Sequence, residues 1–145
     1  MIFVLNGSSE LRSDNHTMVT AITQGVKVSV LTEYQPEHSS PWQSHFVFSY
    51  KIRVENQSEH TVQLLRRHWY IFDSDGTVRQ VEGEGVVGQQ PVLEPNEAYE
   101  YVSGCNLNTS IGKMAGTYLM ERLLDGKQFK VQIPEFVMIA PYRLN

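Results

Sequence analysis

Cysteine is almost absent from the 145-residue chain: Cys105 is the only one, so no internal disulfide can form and a reducing compartment suits the protein. Long apolar runs are missing too. The longest, Ile2 to Leu5 and Phe136 to Ala140, fall far short of the roughly 20 residues that a membrane-spanning helix needs. No basic residue precedes the first of them, as a secretory signal would require, so a cytoplasmic location is expected. Basic charge is scarce, with 12 Lys and Arg against 16 Asp and Glu, a net charge of −4, and only Arg66-Arg67 adjacent. A stripe that tracks nucleic-acid phosphates is therefore not expected. Catalytic signatures are missing as well. The histidines at 16, 38, 45, 60 and 68 lack metal-ligand spacing, and no Gly-x-Ser-x-Gly elbow occurs. The expectation is a protein that is not an enzyme and needs no metal or cofactor.

What is present points to strands. Hydrophobic residues make up 41% and charged residues 19%, a balance that suits one globular domain. Val26, Val28 and Val30 recur at period two, as do Phe46, Phe48, Tyr50, Ile52 and Val54, so each run forms a strand with one buried face. Val62 and Leu64 begin another strand, but Trp69 and Ile71 continue it on the opposite parity. A switch of parity inside one run predicts a bulge near Leu65 to Arg67. Asp73-Ser74-Asp75-Gly76 reads as a hairpin turn, and Thr77 to Val81 as its returning strand. Ala98 to Val102, Lys113 to Leu124 (Met114, Tyr118 and Met120 on one face) and the run through Phe129, Val131 and Ile133 complete the set. Seven or eight short strands without a convincing helix make an antiparallel β-sandwich.

Residues 83–88 read Gly-Glu-Gly-Val-Val-Gly, a G-x-G-x-x-G string. In a dinucleotide site these glycines leave a strand and open a helix whose N-terminus holds pyrophosphate. Here Pro91 and Pro95 follow, remove backbone donors and force extended chain, so no helix opens. Gly83, Gly85 and Gly88 are expected to serve a loop that needs positive φ or close backbone approach.

Arg66-Arg67-His68, beside the expected bulge, is the one chemically unusual place. If these side chains meet the N–H groups of the Gly83–Gly88 loop, the result is a pocket for a small anion. The plainer alternative is one arginine paired with Glu82 or Glu84 that holds the loop down. Glu82 and Glu84 also suggest, more weakly, a hold on a divalent cation. Cys105 reads as a small buried thiol rather than a nucleophile.

Longer motifs carry a resemblance. Val62-Gln63-Leu64-Leu65-Arg66-Arg67-His68-Trp69, then Val81-Glu82-Gly83-Glu84-Gly85-Val86-Val87-Gly88-Gln89-Gln90-Pro91, resembles the ApaG family. Glu100-Tyr101-Val102-Ser103-Gly104-Cys105, Gly112-Lys113-Met114-Ala115-Gly116-Thr117-Tyr118 and Ile133-Pro134-Glu135-Phe136 extend the likeness over about residues 19–145. The resemblance implies an immunoglobulin- or fibronectin-III-like sandwich. It also implies an association with cobalt resistance and magnesium efflux, without an established activity. Related domains in eukaryotic F-box proteins and a polymerase-interacting protein imply a protein partner, and that step is analogy.

Residues 1–17 are polar and aperiodic after Leu5, lie outside this likeness, and precede Met18, a second candidate start. They are expected to form a mobile tail ahead of the domain at residues 18–145. Deleting them should leave the melting temperature unchanged within a degree or two; a loss of several degrees would make the segment part of the fold.

Overall fold

The computed structural model describes residues 18–141, so the tail expected at residues 1–17 lies outside the described residues. Nine strands run in order: β1 (Val19–Thr23), β2 (Val26–Tyr34), β3 (Phe46–Asn56), β4 (Val62–Asp73), β5 (Val78–Glu84), β6 (Val92–Leu93), β7 (Ala98–Leu107), β8 (Ile111–Arg122) and β9 (Lys127–Ile139). Helix among the described residues is confined to two single 3-10 turns, Pro36–His38 and Pro41–Gln43. One antiparallel sheet has the order β1-β2-β3-β7; the other runs β5-β4-β8-β9, with β6 also pairing β4. The chain thus forms the expected all-β sandwich. It has one or two more strands than the patterning suggested, and β3, β4, β8 and β9 each exceed ten residues.

The two inner faces supply the core. Val26, Val28 and Val30 face Phe48, Tyr50, Ile52 and Val54 within the first sheet; Trp69, Ile71, Met114, Tyr118, Met120 and Val131 answer from the second. Trp69 stands edge-on to Tyr50 and Phe136, with ring centroids 5.4 and 5.9 Å away, so three aromatic rings fill the middle. Alternation fails at Ser29 of β2 and at two residues of β3, all buried on the outward parity. Val47 and Ser49, on the outward parity of β3, are buried because residues 35–45 fold across them. That cover is held by Gln35 N–H donating to the Val47 carbonyl, Val47 N–H donating to Ser39 Oγ, and Gln35 Nε2 donating to Ser49 Oγ.

Two strands change parity midway. On β4 the pairing with β8 slips between Leu64 and Arg66, which leaves Leu65 as the extra residue of a bulge, as the parity switch required. On β9 the slip opposite Met114 and Gly116 places Pro134 and Glu135 against a single residue. Pro134 has no N–H to lose from a ladder there. The bulge lets Val131 and Ile133 on one side, and Phe136 and Met138 on the other, reach the same core.

Two pairs of hydroxyls meet in the core. The Tyr101 and Tyr118 hydroxyls hydrogen-bond each other in the interior, and Ser103 hydrogen-bonds the Tyr50 hydroxyl. Burial pushes the Tyr50 hydroxyl up to about 12 and the Cys105 thiol up to about 11, and lifts Tyr101 and Tyr118 well above the ordinary phenol value. A raised pKa in the fold means that these groups contribute fully below their unfolded values of 9.0 and 10.0. That contribution is lost as pH rises through about 11 and 12. An alkaline titration should therefore show tyrosinate absorbance from the buried rings appearing together with loss of the β-sheet circular dichroism. Ionisation of all tyrosines near pH 10, with the sheets intact, would contradict it.

Candidate functional site

The bulge at Leu65 decides where the basic residues of β4 point. With Val62 and Leu64 buried, unbroken alternation would turn Arg66 and His68 inward; the extra residue instead turns Arg67, Trp69 and Ile71 inward. Arg66 and His68 lie on the outer face of the second sheet. Arg66 stands 4.0 Å from Glu84 at a half-exposed position, a weak surface pair. His68 reaches Glu82 through Nδ1 and Gln80 through Nε2, both at 2.9 Å, and its ring stacks on Tyr70. Arg67 does something different. Its Nη1 donates to the Glu84 and Gly85 carbonyls at 3.0 Å each, so it ties the glycine loop to β4. The holding role and the ion pair expected of one arginine are thus divided between two.

The glycine string is an excursion in one long edge. β5 pairs with β4 from Phe72 back to Arg66, and β6 resumes the pairing at Gln63 and Val62. Between them the Leu65 carbonyl accepts from Gly85 N–H at 2.8 Å and from Gln90 Nε2 at 2.9 Å. Val86 and Gln89 exchange both backbone hydrogen bonds around a two-residue turn, Val87-Gly88, with φ +47° and +76°. No helix opens, as the prolines required. Gly83 gives the Arg67 guanidinium room, because a Cβ there would lie 2.8 Å from Nη1. Gly85 has φ +63°, and a Cβ on it would come within 2.2 Å of the Gln89 carbonyl oxygen. The amides of Gly85, Val86 and Gln89 all have partners inside the protein. Val86 itself is wholly buried in the core.

Beneath this loop lies a crevice of about 220 Å³ where β5 and β7, each the edge of its sheet, face one another. Arg67, Arg79, Tyr50, Tyr101, Ser103 and Cys105 supply its polar lining; Trp69, Ile71, Val81, Val86 and Met114 supply apolar wall. No carboxylate is among the lining residues. Arg79 crosses the opening and donates to the Asn106 carbonyl of β7. The sequence reading did not include Arg79. The signal was available: the Asp73–Gly76 turn sets Arg79 opposite Ile71, and so on the inner face.

Of the six residues singled out by sequence, Arg67 and Gly83 meet in contact, and Gly85 accepts from the same guanidinium. Gly88 forms the loop tip, while Arg66 and His68 belong to the other face. Cys105 is buried, and its raised pKa keeps it a thiol at neutral pH, as a structural cysteine should be. The glutamates disperse: Glu82 serves His68, Glu97 accepts from Glu94 N–H, and Glu100 pairs with Lys51 and Arg53. Among the described residues no three His, Cys, Asp or Glu side chains are grouped to hold a metal ion. No helix among them is long and apolar enough to cross a membrane.

Comparison with known proteins bears on this arrangement. The ApaG domain model matches residues 36–122. The ApaG protein of Paramagnetospirillum magneticum is 48% identical over 131 residues, covering 88% of this chain and all of that one. The ApaG protein of Anaeromyxobacter dehalogenans is also 48% identical, over 128 residues, with the same coverage. Among solved structures, the ApaA protein from Bordetella pertussis superposes with a TM-score of 0.78 at 46% identity, over 81% of this chain and 95% of its own.

The glycines make separable demands. Gly85→Ala should cost about 2–4 kcal/mol, since it adds a backbone clash to an unfavourable φ. Gly88→Ala meets open space and should cost only about 1 kcal/mol. Denaturant unfolding of both variants checks the order, and equal losses would contradict it.

Proposed function

The chain belongs to the ApaG family, and from that premise we propose that it is a non-enzymatic binding module that takes an extended segment of a protein partner along the open edge of β5. The observation that carries this reading is the edge itself: six of the seven residues Val78–Glu84 are exposed, and among the described residues no strand pairs the far side. An unpaired edge of this length is a template for strand addition. The other edges are guarded. β1 has only five residues, and β9 carries Lys127, Lys130 and the Pro134 bulge. The rim of β7 is engaged by Arg79 at Asn106. β5 has no proline, no lysine and no bulge. Burial keeps the Cys105 thiol protonated, which supports a binding role over nucleophilic catalysis at that residue.

A second reading, a small-anion site near the glycine loop, is favoured by a separate observation: two arginines line one crevice that has no acidic side chain. With three loop amides already engaged, the arginines rather than the loop backbone would hold the anion.

Strand addition has a direct test. Gly85 N–H points at Leu65, so alternation sends the N–H of Gln80 to the open side of β5. Gln80→Pro removes that donor without touching the β4 ladder, whereas Gln80→Ala keeps it and loses only the contact to His68. Affinity capture from a lysate should recover the same partner with wild type and Gln80→Ala, and lose it with Gln80→Pro. Both variants should melt within a few degrees of wild type. Full capture by Gln80→Pro would end this reading.

A further inference from the structure

The crevice between β5 and β7 has a composition that strand addition does not use. Arg67 and Arg79 both line it, and neither forms an ion pair with any described residue; they donate to the backbone carbonyls of Glu84, Gly85 and Asn106 and to the thiol of Cys105. Each guanidinium carries five N–H donors, so the carbonyl bonds leave donors over on both. Elsewhere in the protein arginines meet carboxylates, as Arg53 meets Glu100 and Arg122 meets Asp125. Here two positive groups share a lining with no acidic side chain at all. The field of Arg67 reaches the buried hydroxyls of Tyr50, Tyr101 and Tyr118, which places its charge against the interior rather than in open solvent.

The rest of the wall sets the ligand class. Val81 and Ile71 give the apolar wall that a ligand can touch, with Trp69, Val86 and Met114 buried behind them, while Tyr50 and Ser103 add hydroxyls. Inorganic phosphate or pyrophosphate would leave that apolar wall unused, and a volume of about 220 Å³ is below the range of roughly 300–1,000 Å³ typical of sites for drug-sized molecules and cofactors. We propose that the crevice binds a small organic carboxylate with an apolar body, its carboxylate gripped by Arg67 and Arg79 and its body laid against Val81 and Ile71. A planar fork meeting a planar carboxylate gives the bidentate geometry that arginine provides and a point charge does not. This deepens the small-anion reading and is independent of strand addition on β5.

The probes are butyrate, benzoate and phenylacetate, with phenylacetamide as the neutral match and pyrophosphate as the phosphate rival, each titrated into the full chain at low salt and followed by amide chemical shifts. The expected result is a saturable shift confined to Ser103, Gly104, Cys105, Val86 and Val87 with at least one aromatic carboxylate, and none with phenylacetamide. Arg79→Gln, at an exposed strand position, should weaken that carboxylate about tenfold or more. Arg66→Gln, on the opposite face, should bind it like wild type. Gln80→Pro should bind it too, which separates failure of this site from failure of the strand-addition reading. Three outcomes would overturn the proposal: no saturable carboxylate among the three, equal binding of phenylacetamide, or unchanged affinity in a folded Arg79→Gln variant. Tighter binding of pyrophosphate than of any carboxylate would overturn the ligand class and leave an inorganic-anion site in its place.

Discussion

One inserted residue, Leu65, governs the chemistry of this domain. Without the bulge, the side-chain alternation of β4 would drive Arg66 and His68 into the core and expel Arg67, Trp69 and Ile71. Burying an arginine beside an imidazole without partners is costly, and losing Trp69 would remove the ring that joins Tyr50 to Phe136. The bulge resolves this conflict and does a second thing. The Leu65 carbonyl accepts from both Gly85 and Gln90, so the residue that re-aims the strand also fixes the glycine loop. Arg67, turned inward by the same bulge, closes the arrangement from the other side through the carbonyls of Glu84 and Gly85. Strand register, loop shape and the charge of the crevice therefore share one cause.

The glycine string owes its resemblance to a nucleotide fingerprint to similar backbone demands met in a different context. A dinucleotide turn needs glycine so that backbone can approach pyrophosphate. Here Gly83 lets a guanidinium approach, and Gly85 lets the Gln89 carbonyl approach. The variable positions are equally constrained. Val86 fills the core, and Val87 holds a left-handed backbone that β-branched residues rarely adopt. A β-branched residue is held there because the exchanged bonds of Val86 and Gln89 and the packing of Val86 over-determine the turn.

Much of the fold was legible because alternation reports burial directly. Phe46 through Val54, the Asp73–Gly76 turn and the parity change on β4 each required only the rule that a strand has two faces. The same parity change stands in β9, between Val131-x-Ile133 and Phe136-x-Met138, beyond the strand expected through Phe129, Val131 and Ile133. Val47 and Ser49 were misread, since a covering segment is a tertiary event that local period does not report. The candidate site was half legible. Arg67 and the three glycines are neighbours along two strands that the hairpin register brings together. Arg79 acts across sheets on Asn106, and no pattern along one strand announces a contact to the opposite layer.

The clasp from Arg79 to Asn106 also makes the sandwich mechanically lopsided. Along one side, β1 and β2 pack against β9, and Gln132 N–H donates to Thr23 Oγ1, so packed strands bind the layers like the spine of a book. Along the other side, among the described residues, one long side chain hydrogen-bonds the two covers, β5 and β7: Arg79, which donates to the Asn106 carbonyl and the Cys105 thiol. Rotating an arginine needs far less energy than separating packed strands. The two sides of the sandwich thus differ in kind: packed strands hold one, and at the other a change at Arg79 alone alters the hydrogen bonding between the layers.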